Sequence, residues 1–185
     1  MKTITDNYRD LNKNLHESNR NYGKSGKRYS DEVLTLAHEF RTFDILDYGC
    51  GKSTLQQQLP FKINQYDPAI SKYSKEPESA DIVVCTDVME HIEPDCLGNV
   101  LIDIKNKARK VVYFSIATRP AVKFLADGRN AHLIVQQLPW WIKVLDDVGF
   151  YIRNLVNTPS GEFRAICLHK ESVEEAIKKS KEGRQ

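Results

Sequence analysis

The sequence predicts a single α/β domain with a mostly parallel sheet, flanked by helices and closed by a C-terminal antiparallel hairpin strand. Three observations lead there. Strand-like and helix-like segments alternate as far as about residue 148, the order that builds parallel strands joined by crossover helices. The segment ADIVVCTD has an unbroken apolar centre, as a strand buried on both faces does. After residue 148, FYIRNLVN and EFRAICLH are joined by TPSG, a turn sequence between two strands. A length of 185 residues suits one domain that buries roughly 70% of the surface its unfolded chain exposes.

The elements follow in order. Residues 1–29 are expected to form an N-terminal arm or lid, 30–169 the main domain, and 170–185 a charged C-terminal helix or tail. Residues 1–30 are polar and carry seven Lys/Arg against three Asp/Glu. In that stretch Tyr22, Lys24, Lys27, Arg28 and Tyr29 could close over a ligand; the alternative is a solvated, flexible arm. Ser30, followed by Asp31 and Glu32, reads as a helix start with carboxylates at the positive end of the dipole. That helix should run to about Phe40. FDILDYG is an apolar run ending in glycine, hence a buried strand. KSTLQQQL should be a short helix, FKINQYDP a second strand stopped by Pro68, and ADIVVCTD a third. A helix over about 95–107 precedes KVVYFSIA, the fourth strand. QQLPWWIKVLDDV, residues 136–148, is a helix ended by Gly149. Trp140 and Trp141 are adjacent on it, about 100° apart, so one faces the core and the other the surface or a pocket.

Composition removes several classes of function. The net charge of +2 is too small to argue for nucleic acid or a membrane surface. No apolar run approaches the ~20 residues of a membrane span, and the polar N-terminus lacks the apolar core of a signal peptide. Cys50, Cys85, Cys96 and Cys167 are far apart with no CxxC pair, which disfavours a disulfide framework or zinc ribbon and fits a reducing, cytoplasmic setting.

Residues 45–54, ILDYGCGKST, admit two phosphate- or nucleotide-binding readings. A Walker loop needs GxxxxGK[ST], but its opening glycine falls on Leu46. The DxGxG reading fits: Asp47 ends the first strand, and Gly49 and Gly51 let the backbone turn sharply and approach a ligand. A helix beginning near Lys52 would point its N–H groups at the same place. The third glycine of a dinucleotide loop is absent, its place taken by Ser53. Asp67 closes the second strand in NQYDP, where a carboxylate can accept hydrogen bonds from both hydroxyls of a ribose; it could equally serve the turn before Pro68. TDVMEHI, directly after the third strand, brings Asp87, Glu90 and His91 to the same sheet edge.

In order and spacing, ILDYGCG, QYDP and ADIVVCTDVMEHI resemble the motifs of class I S-adenosylmethionine-dependent methyltransferases, over roughly residues 30–169. The resemblance implies a Rossmann-like fold and S-adenosylmethionine as cofactor. It implies that Asp47, Gly49, Cys50 and Gly51 line the methionine end, that Asp67 holds the ribose, and that Asp87 completes the cofactor set. SKEPESADIV is short where many relatives have an extra strand and helix against the adenine, so no adenine contact is assigned.

Methyl transfer from a sulfonium is an in-line displacement with an activated donor, so alignment matters most, and a base helps only where the nucleophile must lose a proton. His91, Glu90 and His132 are the candidate catalytic residues, because a histidine titrates near neutral pH. The alternative for His91 is to hold the loop and pack against cofactor. Asp87, Glu90, His91 and His132 also resemble the two carboxylates and two histidines that bind a divalent metal in small-RNA ribose 2′-O-methyltransferases, though the first position here is Asp. The expected site nevertheless contains no metal. No DPPY or NPPY follows the third strand and no Pro-Cys pair occurs, which disfavours the DNA-base methylating classes. The expected function is therefore methyl transfer to a small molecule or an exposed end of a larger one. Nucleic acid is not indicated and no membrane is involved. A non-catalytic binding or regulatory module of the same fold is the rival, and a metal-assisted RNA ribose methyltransferase the third possibility.

Overall fold

The computed structural model of the protein describes residues 2–182. Six strands form one sheet: β1 (Ile45–Tyr48), β2 (Asn64–Tyr66), β3 (Ala80–Thr86), β4 (Ala108–Ala117), β5 (Phe150–Thr158) and β6 (Glu162–His169). Their spatial order is β2-β1-β3-β4-β6-β5. β2, β1, β3 and β4 are parallel, while β6 runs antiparallel to both β4 and β5. The expected architecture is present, with the last hairpin folded back so that β6 lies inside the sheet and β5 forms the edge.

Alternation along β3 shows how the sheet is sealed on both faces. Val83 and Cys85 point to one side, where they pack with Leu101, Ile104, Trp141 and Leu145. Ile82 and Val84 point to the other, against Tyr29, Val33, Leu36 and Ala37. Successive side chains on a strand face opposite ways, so an unbroken apolar run needs cover on both sides. The covers are α2 (Ser30–Glu39) on one face, and α3 (Leu97–Lys107) and α4 (Leu138–Val148) on the other. α4 ends as expected at Gly149, whose φ of 94° suits a residue without Cβ. Trp141 is fully buried and Trp140 is exposed, which resolves the tryptophan pair. α5 (Lys170–Glu182) buries none of its side chains and is tied on by ion pairs from Lys105 to Glu171 and from Lys170 to Asp146.

α2 starts at Ser30 as expected, directly after a 3-10 turn over Ser25–Tyr29 and without a side-chain cap. Two expectations need correction. KSTLQQQL is not an α-helix: it is a series of turns with a single 3-10 turn at Gln56–Gln58. Ser53 takes a positive φ of 60° there, which interrupts a right-handed helix, and Pro60 leaves little room for another start. Residues 6–18 form a helix, α1, that the sequence reading did not contain. Thr5 caps it by accepting from the Tyr8 amide at 3.2 Å, and Asp6 sits at its positive end.

Candidate functional site

The carboxyl ends of β1, β2 and β3 open into a cavity of about 330 Å³. Asp47, next to last in β1, lies on its floor and is buried. Gly49 and Gly51 turn the chain with φ of 84° and 51°. A Cβ on Gly49 would run into the Val88 methyls, and one on Gly51 would lie 2.7 Å from the Gly23 carbonyl oxygen. These two positions therefore demand glycine for space as well as for φ. Cys50 lies between them, buried, with its thiol pushed up chiefly by burial.

The amides of this loop are not left free for a ligand, contrary to expectation. Gly49 and Cys50 donate to the Tyr66 carbonyl at 2.7 and 3.0 Å, and Lys52 donates to the Gly23 carbonyl at 2.8 Å. The Gly51 amide donates to Asp67 at 3.1 Å. The other Asp67 oxygen accepts from the Ala69 amide at 3.0 Å. Each carboxylate oxygen retains a second lone pair, so Asp67 is oriented by the backbone and can still accept from a ligand. Burial pushes Asp67 up and those two amides oppose it. Asp47 has no such help: burial, and then the charge of Asp67, push it up to about 7.

A cover closes the cavity from above. Thr5 donates through its amide and hydroxyl to the Glu93 carboxylate at 2.8 and 2.7 Å. The Tyr8 hydroxyl donates to the His91 carbonyl, and Lys52 donates to the Asn19 carbonyl at 2.7 Å. The N-terminal segment is thus docked across the cavity rather than lying free in solvent. Tyr29 is fully buried and donates to Glu162 at 3.1 Å. Sequence reasoning missed Thr5, Tyr8 and Glu93. The available signal was Tyr8, Leu11 and Leu15 at helical spacing in an otherwise polar arm.

Asp87, Glu90, His91 and His132 converge on one point. One ligand atom from each lies within 4.8 Å of all the others. Asp87 reaches this place with a φ of 59°, unusual for a residue with a side chain. His91 Nδ1 lies 2.7 Å from the Ala131 carbonyl, and His132 Nδ1 2.6 Å from the Arg119 carbonyl. A carbonyl only accepts, so both Nδ1 atoms carry protons and both Nε2 atoms present lone pairs. The rings stand edge to face, 4.7 Å between centroids. Glu90 is fully buried: its Oε1 accepts from the Ala117 amide at 2.9 Å, whereas Oε2 has no partner.

The electrostatics of this cluster are set by its dryness. Burial, then the neighbouring His132, push His91 down to about 4, and burial also lowers His132. Both imidazoles are neutral at pH 7. Burial, reinforced by the charge of Asp87, holds Glu90 well above the ordinary carboxylate range. Burial pushes Asp87 up too, but the neighbouring His91 and Ser25 outweigh it and leave its carboxyl below the usual value. A base titrating near 4 is weak at neutral pH, so this setting suits His91 better to holding or orienting than to taking a proton unaided.

The sheet order, the glycine turn and the reversed last strand decide the comparison with solved structures. The chain has the class I methyltransferase fold. It superposes on the 1,6-didemethyltoxoflavin-N1-methyltransferase of Burkholderia thailandensis, solved with S-adenosylhomocysteine, with a TM-score of 0.64 and 15% identity over 91% of this chain and 92% of that one. The magnesium protoporphyrin IX methyltransferase of Synechocystis PCC 6803, solved with S-adenosylmethionine, gives a TM-score of 0.60 and 14% identity over 91% and 100%. A complex of DhpI with S-adenosylhomocysteine gives 0.56 and 13% over 87% and 95%. No protein-family model matches the chain, and no curated protein matches it in sequence. No described helix is long and apolar enough to cross a membrane.

Proposed function

We propose that the protein is an S-adenosylmethionine-dependent methyltransferase acting on a small molecule or an exposed end of a larger one. The observation that carries this reading is Asp67: a buried carboxylate, held by the glycine-loop amide, facing a covered cavity at the carboxyl ends of a methyltransferase sheet. The residues fit the cofactor. Asp67 offers two acceptor oxygens to a ribose, Asp47 and Asp87 offer negative charge to an ammonium or sulfonium, and Gly49 and Gly51 keep the wall free of Cβ atoms. The cofactor supplies an activated methyl group. The chain orients the two partners, excludes water through the cover, and keeps the acceptor beside His91 and His132. The four cysteines are free and buried, in keeping with a reducing, cytoplasmic setting.

Calorimetric titration with S-adenosylhomocysteine tests this reading. Saturable binding is expected, weakened at least tenfold in Asp67→Ala. A folded protein that does not bind refutes the cofactor assignment. Binding without turnover across a broad panel of acceptors would favour the rival binding module.

A second reading is favoured by one observation: Glu90 Oε2, sealed and unpartnered, faces Asp87 and two imidazole lone pairs. Two carboxylates and two histidines with carbonyl-anchored Nδ1 atoms fit a divalent cation as donor set and as outer shell. A cation there would lower the pKa of a bound hydroxyl, making the reaction an O-methylation, with an RNA ribose 2′-hydroxyl as one such acceptor. Manganese binding, followed by electron paramagnetic resonance on the whole chain, should be saturable and lost in Glu90→Gln and His132→Ala. No manganese binding would remove this reading and leave the first intact.

A further inference from the structure

Lys24, Lys52 and Lys123 come from three separate segments: the cover, the glycine turn, and the connection after β4. The hydrogen bond from the Lys52 amide to the Gly23 carbonyl binds the first two segments together. The Lys123 ammonium lies 5.2 Å above the centre of the Tyr22 ring, next to Gly23. Among the described residues, none of the three forms an ion pair. Lys24 and Lys123 line the cavity itself, so their free ammonium groups face the space a ligand would fill.

Burial, then Lys24 and Lys123, lower Lys52; burial lowers Lys123, and Asp87 opposes it. Lys52 makes do with the Asn19 carbonyl, and Lys123 with an aromatic face. Cations on a cavity rim that no carboxylate pairs directly are stabilised by an anion bound among them.

The place of the lysines says which ligand carries that anion. The Tyr22 hydroxyl lies 3.4 Å from His91 Nδ1, so Lys123 stands above the histidine cluster rather than beside Asp67. Lys24 belongs to the cover. Lys52 lies in the glycine turn, where the amino-acid end of a cofactor would lie, and Lys24 follows the Gly23 that packs on it, whereas Lys123 comes from the other side of the cavity.

We propose that Lys24 and Lys123, with Lys52 behind them, bind a phosphate or carboxylate group of the methyl acceptor and hold the acceptor over His91 and His132. Naming this ligand the acceptor rests on the methyltransferase reading above. The acceptor class is thereby an anion, and Lys123 is the residue that selects it.

The test is calorimetric titration of pyrophosphate, at constant ionic strength, into the whole protein saturated with S-adenosylhomocysteine. The Lys24→Ala/Lys123→Ala double variant is run beside it, its folding checked by thermal melting. Saturable pyrophosphate binding is expected, at least tenfold weaker in the double variant, with affinity for S-adenosylhomocysteine changed less than threefold. Absence of binding, or equal binding by the double variant, overturns the proposal. Repeating the titration with 5′-methylthioadenosine, which lacks the cofactor's carboxylate, separates the two possible sources of the anion. Pyrophosphate binding only to that complex would assign the lysines to the cofactor's own carboxylate and overturn the proposal as well. If S-adenosylhomocysteine itself fails to bind, the methyltransferase reading fails on its own. The same titration into the free protein then decides whether the rim binds anions: binding lost in the double variant supports the rim site, and no binding or unchanged binding overturns it.

Discussion

Replacing Asp47 by asparagine should make the unliganded protein more stable at alkaline pH while weakening its hold on cofactor. Asp47 is buried on the cavity floor and pushed up to about 7 from an ordinary 3.8, by burial and then by Asp67. A carboxyl whose folded pKa is raised favours folding most below its unfolded pKa, and that contribution is lost as pH rises towards the folded one. The loss therefore accumulates between pH 3.8 and about 7 and levels off above that. At about 1.4 kcal/mol per pKa unit, the full penalty is about 4 kcal/mol, of which roughly 2 to 3 kcal/mol falls between pH 5 and pH 8. The asparagine side chain carries no charge and escapes it. Urea unfolding of both proteins at pH 5 and pH 8 isolates the effect, because other titrating groups are common to the pair. The stability difference, variant minus wild type, should grow by roughly 2 to 3 kcal/mol from pH 5 to pH 8. A difference that stays constant or shrinks would refute the claim that Asp47 is held up by its site. Calorimetry at pH 8 should show S-adenosylhomocysteine binding at least tenfold weaker in the variant, because its ammonium loses a counter-charge.

Other substitutions probe the cover and the core. Gly51→Ala places a Cβ 2.7 Å from the Gly23 carbonyl oxygen at a φ of 51°. It should lift the cover, cost about 1–3 kcal/mol and speed proteolytic cleavage near residues 19–24; unchanged cleavage would count against the close approach. Thr5→Ala removes a helix cap and the hydroxyl bond to Glu93, so amide exchange in α1 should accelerate by the equivalent of about 1 kcal/mol. Trp141→Ala should cost about 3–5 kcal/mol in urea unfolding, and Trp140→Ala under about 1; similar costs would contradict the assigned burial.

The parts of the fold that could be read from the sequence are those driven by burial. ADIVVCTD and KVVYFSIA are apolar enough to be strands in almost any context, and their two-sided cover follows from the lack of alternation. Asp47, Gly49, Gly51 and Asp67 were legible because a strand end, two glycines and a returning carboxylate have a fixed spacing. α1 was not read: its local signal is only Tyr8, Leu11 and Leu15 in a polar arm, and it is docked by polar bonds to Glu93 and the His91 carbonyl, partners far away in sequence. Residues 52–59 failed for the opposite reason: their composition tolerates a helix, but the hydrogen bond from the Lys52 amide to Gly23 and the positive φ of Ser53 make a turn of them. The histidine cluster was legible as a set of four through its resemblance to a known donor set; its geometry was not, because only the folded connection after β4 brings His132 against His91.

The reversal of β6 has an effect beyond closing the sheet. Since β6 runs backwards, its first residue and the turn before it stand at the ligand edge. The Gly161 carbonyl accepts from the Thr118 amide at 2.9 Å and the Ser160 carbonyl from Arg119 at 2.8 Å. The Arg119 carbonyl in turn holds His132. A three-residue hairpin tip thus works as an adjusting screw on one imidazole, while Asp67 is set by the Gly51 and Ala69 amides. Editing that tip would re-aim His132 with the glycine turn left alone, so the two halves of the cavity are separately tunable.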